Sequence, residues 1–117
     1  MLEEKAKDLG RQIGQSPEYQ ALKRSNDLLT EDQEASAVLR RLSQLRGEAQ
    51  EFMERGEDPP QEMEQELDTL LQGVETNPAY QRAMGAQTNF DKLMVRVNEW
   101  ISEGIRTGAV SKIITLS

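Results

Sequence analysis

Apolar residues return along this chain at intervals of three and four, the spacing of one helix face, and almost never alternate as a half-buried strand requires. Leu2, Ala6, Leu9 and Ile13 form the first such stripe, which predicts a short helix from about Leu2 to Ile13. Ser16-Pro17-Glu18 then reads as a helix start, with Ser as cap, Pro at the first helical position and an acid facing the positive helix end. That second helix runs to about Leu29, with Tyr19, Leu22 and Leu29 inward. Thr30-Glu31-Asp32-Gln33 has the Thr-x-x-Gln form of a capping box, so Thr30 and Gln33 are expected to open a third helix over about 31–55. Its stripe, Ala35, Val38, Leu42, Leu45, Ala49 and Phe52, is the most regular in the chain, widened by Leu39 and Met53. Gly56 suits the position after its end, and Pro59-Pro60 blocks continuation.

A fourth helix is predicted from about Pro60 to Val74, with Met63, Leu67, Leu70, Leu71 and Val74 inward. Asn77-Pro78 repeats the cap-plus-proline signal and opens a fifth helix over about 78–106, with Tyr80, Ala83, Gln87, Phe90, Met94, Val97 and Ile101 as its stripe. Leu93 and Trp100 form a second edge. The expectation is an all-α hairpin or bundle of about five helices, two long (about 31–55 and 78–106) and three short. It forms one domain over residues 1–107, followed by a β-branched tail, 108–117, expected to be flexible or weakly ordered, with a short pairing strand as the alternative. Ser16-Pro17-Glu18-Tyr19-Gln20 and Asn77-Pro78-Ala79-Tyr80-Gln81 echo each other, marking either two similar helix-start corners or independent use of good capping chemistry.

Composition sharpens this picture. Only 4% of the 117 residues are aromatic, so the core falls to Leu, Ile, Val, Met and Ala. Cys and His are both absent, which excludes disulfides, Cys/His zinc sites and cysteine-held iron–sulfur clusters within the chain. The net charge of −7 comes from one segment. Between Arg55 and Arg82 lie seven acids (Glu57, Asp58, Glu62, Glu64, Glu66, Asp68 and Glu75) and no base. Such a surface repels phosphate backbones and argues against direct nucleic-acid binding. No apolar run reaches the ~18 residues that span a bilayer, and the N-terminus lacks a signal-peptide pattern, so the expected location is the cytoplasm with no membrane partner.

Candidate chemistry is sparse. Glu62, Glu66 and Asp68 offer at most a weak divalent-cation site, against a solvated acidic face. No glycine-rich phosphate loop or activated nucleophile is spaced along the chain, so no catalytic residue, metal site or cofactor is assigned. Arg40, Arg41 and Arg46 form a basic patch that nearby Glu34, Glu48 and Glu51 are expected to offset through pairs three or four residues apart. The fifth helix carries more apolar circumference than one seam needs. Phe90, Leu93, Met94, Val97, Trp100, Ile101 and Ile105 are therefore the candidate surface for self-association or partner binding, against the alternative that all of them are internal core.

Taken in order, Ala6-x-x-Leu9-Gly10-x-x-Ile13-x-x-Ser16-Pro17-Glu18-Tyr19, then Asp32-x-Glu34-Ala35 with Leu39, Leu42 and Leu45, then Asn77-Pro78-x-Tyr80 with Phe90, Leu93, Val97, Asn98 and Ile101, resemble the YlbF/YmcA family of small bacterial helical regulators. The resemblance spans about Ala6 to Ile105. It implies an all-α fold, self-association into a dimer or higher homo-oligomer, contacts with other regulatory proteins, and a role without catalysis. Better-studied relatives act in competence, biofilm formation and sporulation, in complexes that modulate mRNA processing by ribonuclease Y. Some of those complexes hold iron–sulfur clusters through Cys, a feature that a chain without Cys does not inherit. The alternative functional readings are a holdase-like or assembly-chaperone module and, behind it, a carboxylate-based metal-dependent enzyme.

Overall fold

Three side chains set where the chain turns from one helix into the next. Ser16 Oγ accepts from the Tyr19 amide at 3.2 Å, Asp32 Oδ1 from the Ala35 amide at 2.9 Å, and Asn77 Oδ1 from the Ala79 and Tyr80 amides at 2.8 and 3.2 Å. Each satisfies backbone donors that a helix start leaves without partners. In the computed structural model, which describes the backbone of residues 1–116 and the side chains of residues 1–109, the elements are α1 (Leu2–Gly14), α2 (Pro17–Glu31), α3 (Gln33–Glu54), α4 (Gln61–Glu75) and α5 (Pro78–Leu116). The all-α, five-helix expectation holds, and no strand occurs among the described residues.

The Thr30–Gln33 capping box does not form. α2 continues to Glu31, which puts Thr30 inside a helix, where its hydroxyl donates back to the Asn26 carbonyl at 2.9 Å. Asp32 is the only residue between α2 and α3 and takes the cap, leaving Gln33 as the first helical residue. The α3 end follows expectation. Gly56 has φ 76°, its amide bonds to the Met53 carbonyl at 3.0 Å, and the Glu57 amide reaches the Phe52 carbonyl at 2.8 Å, the paired closure of a Schellman motif. The Arg55 guanidinium lies 4.8 Å from the centre of the Phe52 ring.

The two proline corners are alike in detail. Gln20 Nε2 donates to the Gly14 carbonyl at 2.9 Å, and Gln81 Nε2 donates to the Glu75 carbonyl at 3.0 Å. In each corner the Gln reaches back six residues to the end of the preceding helix, so the sequence echo is a repeated corner structure.

α2 packs chiefly on α5, and α3 chiefly on α4, with α2–α3 and α4–α5 contacts joining the two pairs. The buried side chains follow this division: Leu22, Ala83, Ala86 and Val97 on α2 and α5; Ala35, Leu42, Leu45 and Val74 on α3 and α4. Alanines at 83 and 86 let α2 approach α5 closely, and the Tyr19 ring meets the Phe90 ring edge-on at 5.6 Å between centroids. Ala86, not Gln87, takes the inward position. Gln87 is exposed and bonds Asp91 at 2.9 Å. Met53, expected to widen the α3 stripe, is also exposed.

α5 continues through Leu116, past the end near Arg106 read from its stripe. No proline or cap follows Arg106, and β-branched residues lower helix propensity by only a fraction of a kcal/mol each. The side chains of the 108–117 tail beyond Ala109 lie outside the described residues. The molecule measures 68 × 37 × 21 Å with a radius of gyration of 21.4 Å. A compact domain of this length would have about 13 Å.

Candidate interaction surface

The apolar face of α5 is a ladder of three- and four-residue steps: Phe90, Leu93, Met94, Val97, Trp100, Ile101, Gly104, Ile105, Gly108. Its first half is covered. Phe90, Leu93 and Met94 are half-buried, and Val97 is only 4% exposed. Val97 therefore belongs to the core and is withdrawn from the predicted contact surface. The cover then stops. Trp100 is 57% exposed, Ile101 43% and Ile105 66%.

α2 packs on the covered half, with its Tyr19 ring against Phe90. The same side of α5 that is core below Val97 is surface above it. The seven predicted surface residues thus divide into one buried, three half-buried and three exposed. α1 is similarly bare: it has no buried residue, and Leu2 is 86% exposed. Met84 and Val95, absent from the expected surface, are also exposed, on the outer side of α5.

A concavity of about 180 Å³ lies where α3, α4 and the start of α5 meet, lined by Leu39, Leu42, Ser43, Arg46, Leu71, Val74 and Tyr80. No spacing rule flags it, because its lining comes from three helices.

The basic patch on α3 is not neutralised along its own helix, since Glu34, Glu48 and Glu51 lie neither three nor four residues from Arg40, Arg41 or Arg46. Instead Arg41 crosses to α4 and grips Glu66 with two bonds, Nε to Oε1 at 2.7 Å and Nη2 to Oε2 at 3.2 Å. The hydrogen bond from Arg41, then its charge, holds the Glu66 carboxyl below its ordinary range; the same bond raises Arg41. Both groups stay partly in water, so the pair orients α4 on α3 more than it stabilises the fold. Glu66 is thereby occupied, and no group of three or more acids poised to hold a cation occurs among the described residues. Among the described residues, no helix is long and apolar enough to cross a membrane.

Comparison with known proteins converges on one group. Residues 2–106 match the family described as control of competence regulator ComK, YlbF/YmcA. The chain is also similar to a UPF0342 protein of Streptococcus mutans, with 30% identity over 90 residues, covering 72% of this chain and 80% of that relative.

Proposed function

The chain belongs to the YlbF/YmcA family of competence-control regulators, and on that premise we propose that it is a non-catalytic cytoplasmic adaptor that works by associating with itself and with other regulatory proteins. The observation that carries this reading is the uncovered half of the α5 face. Trp100, Ile101 and Ile105 continue a buried stripe into solvent, 57%, 43% and 66% exposed among the described residues. Contiguous exposed apolar surface of this kind marks protein contact, and Trp is the residue type most enriched at interface hot spots. With no Cys in the chain, any complex it enters is held from its side by packing and charge, not by a thiolate-bound cluster. Its place in the mRNA-processing complexes of better-studied relatives would likewise be that of a protein contact.

Sedimentation velocity at tens of micromolar tests this directly. Wild type should run as a dimer or larger, and Trp100→Ala with Ile105→Ala should shift it towards monomer without loss of helicity, because both side chains lie outside the monomer's core. A monomeric wild type would sink the self-association claim. A holdase would instead suppress aggregation of unrelated unfolded proteins, which an adaptor of this kind should not do.

A further inference from the structure

The likeness of the two proline corners extends along the helices on either side. Before the corners, Leu2, Ala6, Leu9 and Ile13 of α1 recur 61 positions later as Met63, Leu67, Leu70 and Val74 of α4. After them, Tyr19, Leu22 and Leu29 of α2 recur as Tyr80, Ala83 and Phe90 of α5. α3 then matches the distal part of α5 at 62 positions, one residue out of step, because α5 runs unbroken where Asp32 separates α2 from α3. Ala35 corresponds to Val97, both buried, Val38 to Trp100 and Leu39 to Ile101. The chain is thus one unit built twice: a short helix, a proline corner and a long helical stretch. α2 of the first unit packs on α5 of the second.

Burial does not follow this repeat. α4 packs on α3, so Met63, Leu67 and Leu70 are half-buried, Val74 is buried, and Val38 and Leu39 are half-buried. At the corresponding positions Leu2, Ala6, Trp100 and Ile101 are exposed, and Leu9 and Ile13 are only half-buried. The surfaces that cover each other in one unit stand open in the other. Their charges also correspond. Glu66 of α4 matches Lys5 of α1, and Arg41 of α3, which grips Glu66, matches Glu103 of α5. The signs are exchanged and the pair stays complementary. Neither Lys5 nor Glu103 has an ionic partner among the described residues.

We infer that α1 is a strap that closes on distal α5 as α4 closes on α3, with Lys5 paired to Glu103, and that in closing it withholds Trp100 and Ile101 from other proteins. Gly14 stands at the α1 corner where the other corner has Glu75, and Gly10 where α4 has Leu71, so α1 is the looser of the two short helices. A strap held by one narrow stripe and an exposed ion pair yields to a partner that binds the open form.

Trp100, the single tryptophan of the chain, reports closure without a label. In full-length protein diluted until it sediments as monomer, acrylamide should quench Trp100 roughly twofold more in Lys5→Glu than in wild type, the scale of an exposed charge pair. Glu103→Lys alone should act alike, and the two exchanges together should restore the wild-type value. Both side chains are exposed, so helicity should stay unchanged in all three variants. At tens of micromolar, Lys5→Glu should also associate more tightly than wild type. The control of association rests on the self-association reading, whereas the closure does not. Quenching that Lys5→Glu leaves unchanged, or that the double exchange fails to restore, overturns the closure whatever the oligomeric state. A restored cycle in a wild type that stays monomeric upholds the closure and overturns the self-association reading. A restored cycle in a chain whose association Lys5→Glu does not tighten upholds the closure and overturns its control of the face.

Discussion

At Asp32 one residue serves two helices: its backbone amide donates to the Leu28 and Leu29 carbonyls at the end of α2, and its carboxylate caps α3. Asp32→Ala should therefore cost about 0.5–2 kcal/mol in urea unfolding, whereas Thr30→Ala, which removes only a bond back along α2, should stay within about 0.5 kcal/mol. The caps at Ser16 and Asn77 were legible in the sequence because the proline behind each fixes the first helical residue. Around Thr30 the sequence holds two competent caps two residues apart, and only the packed length of α2 decides between them. The Arg41–Glu66 pair was not legible at all, since its partners are 25 positions apart on different helices. Because Glu66 is held below its ordinary range, its contribution is fully present above that range and is lost as pH falls through the lowered value. Glu66→Gln should make the thermal midpoint fall less steeply on acidification and leave its course above neutral pH unchanged.

Among the elements, α3 lost its predicted cap to Asp32 but kept its stripe, with Ala35, Val38, Leu42, Leu45, Ala49 and Phe52 all buried or half-buried. Its regular stripe delivers Ala35, Leu42 and Leu45 to the core, and Leu45, 1% exposed, is the natural site to test that core. Leu45→Ala should cost about 2–5 kcal/mol, against less than about 0.5 kcal/mol for Met53→Ala on the same helix. The α3 end should be equally sensitive. At φ 76° Gly56→Ala forces a Cβ into the left-handed region and should cost about 1 kcal/mol or more by denaturant titration. For α5 the periodicity identified the apolar face correctly but not the division within it. A helical period says which side of a helix is apolar. It carries no information on how far a covering helix extends, and that is why Val97 and Trp100, three residues apart, met opposite fates.

For the whole molecule, the thin core and the uncovered end of α5 let the proposed self-association be read in stability. If copies bind the folded state only, the thermal midpoint should rise with protein concentration, and it should lose that dependence in Trp100→Ala with Ile105→Ala. Calorimetry across a hundredfold concentration range checks both. The edge-on contact of Tyr19 with Phe90 has a kinetic consequence as well. It joins positions about 70 apart, while α3 and α4 meet across a short turn. Closing the long loop loses chain entropy before any contact forms, so the α3–α4 hairpin should gain amide-exchange protection first and the α2–α5 clasp last. The same order reversed has α2 lift from α5 before the α3–α4 hairpin opens. Such an opening would join the covered α5 stripe to the exposed Trp100, Ile101 and Ile105, so the protein's stickiest state lies one step from its native one.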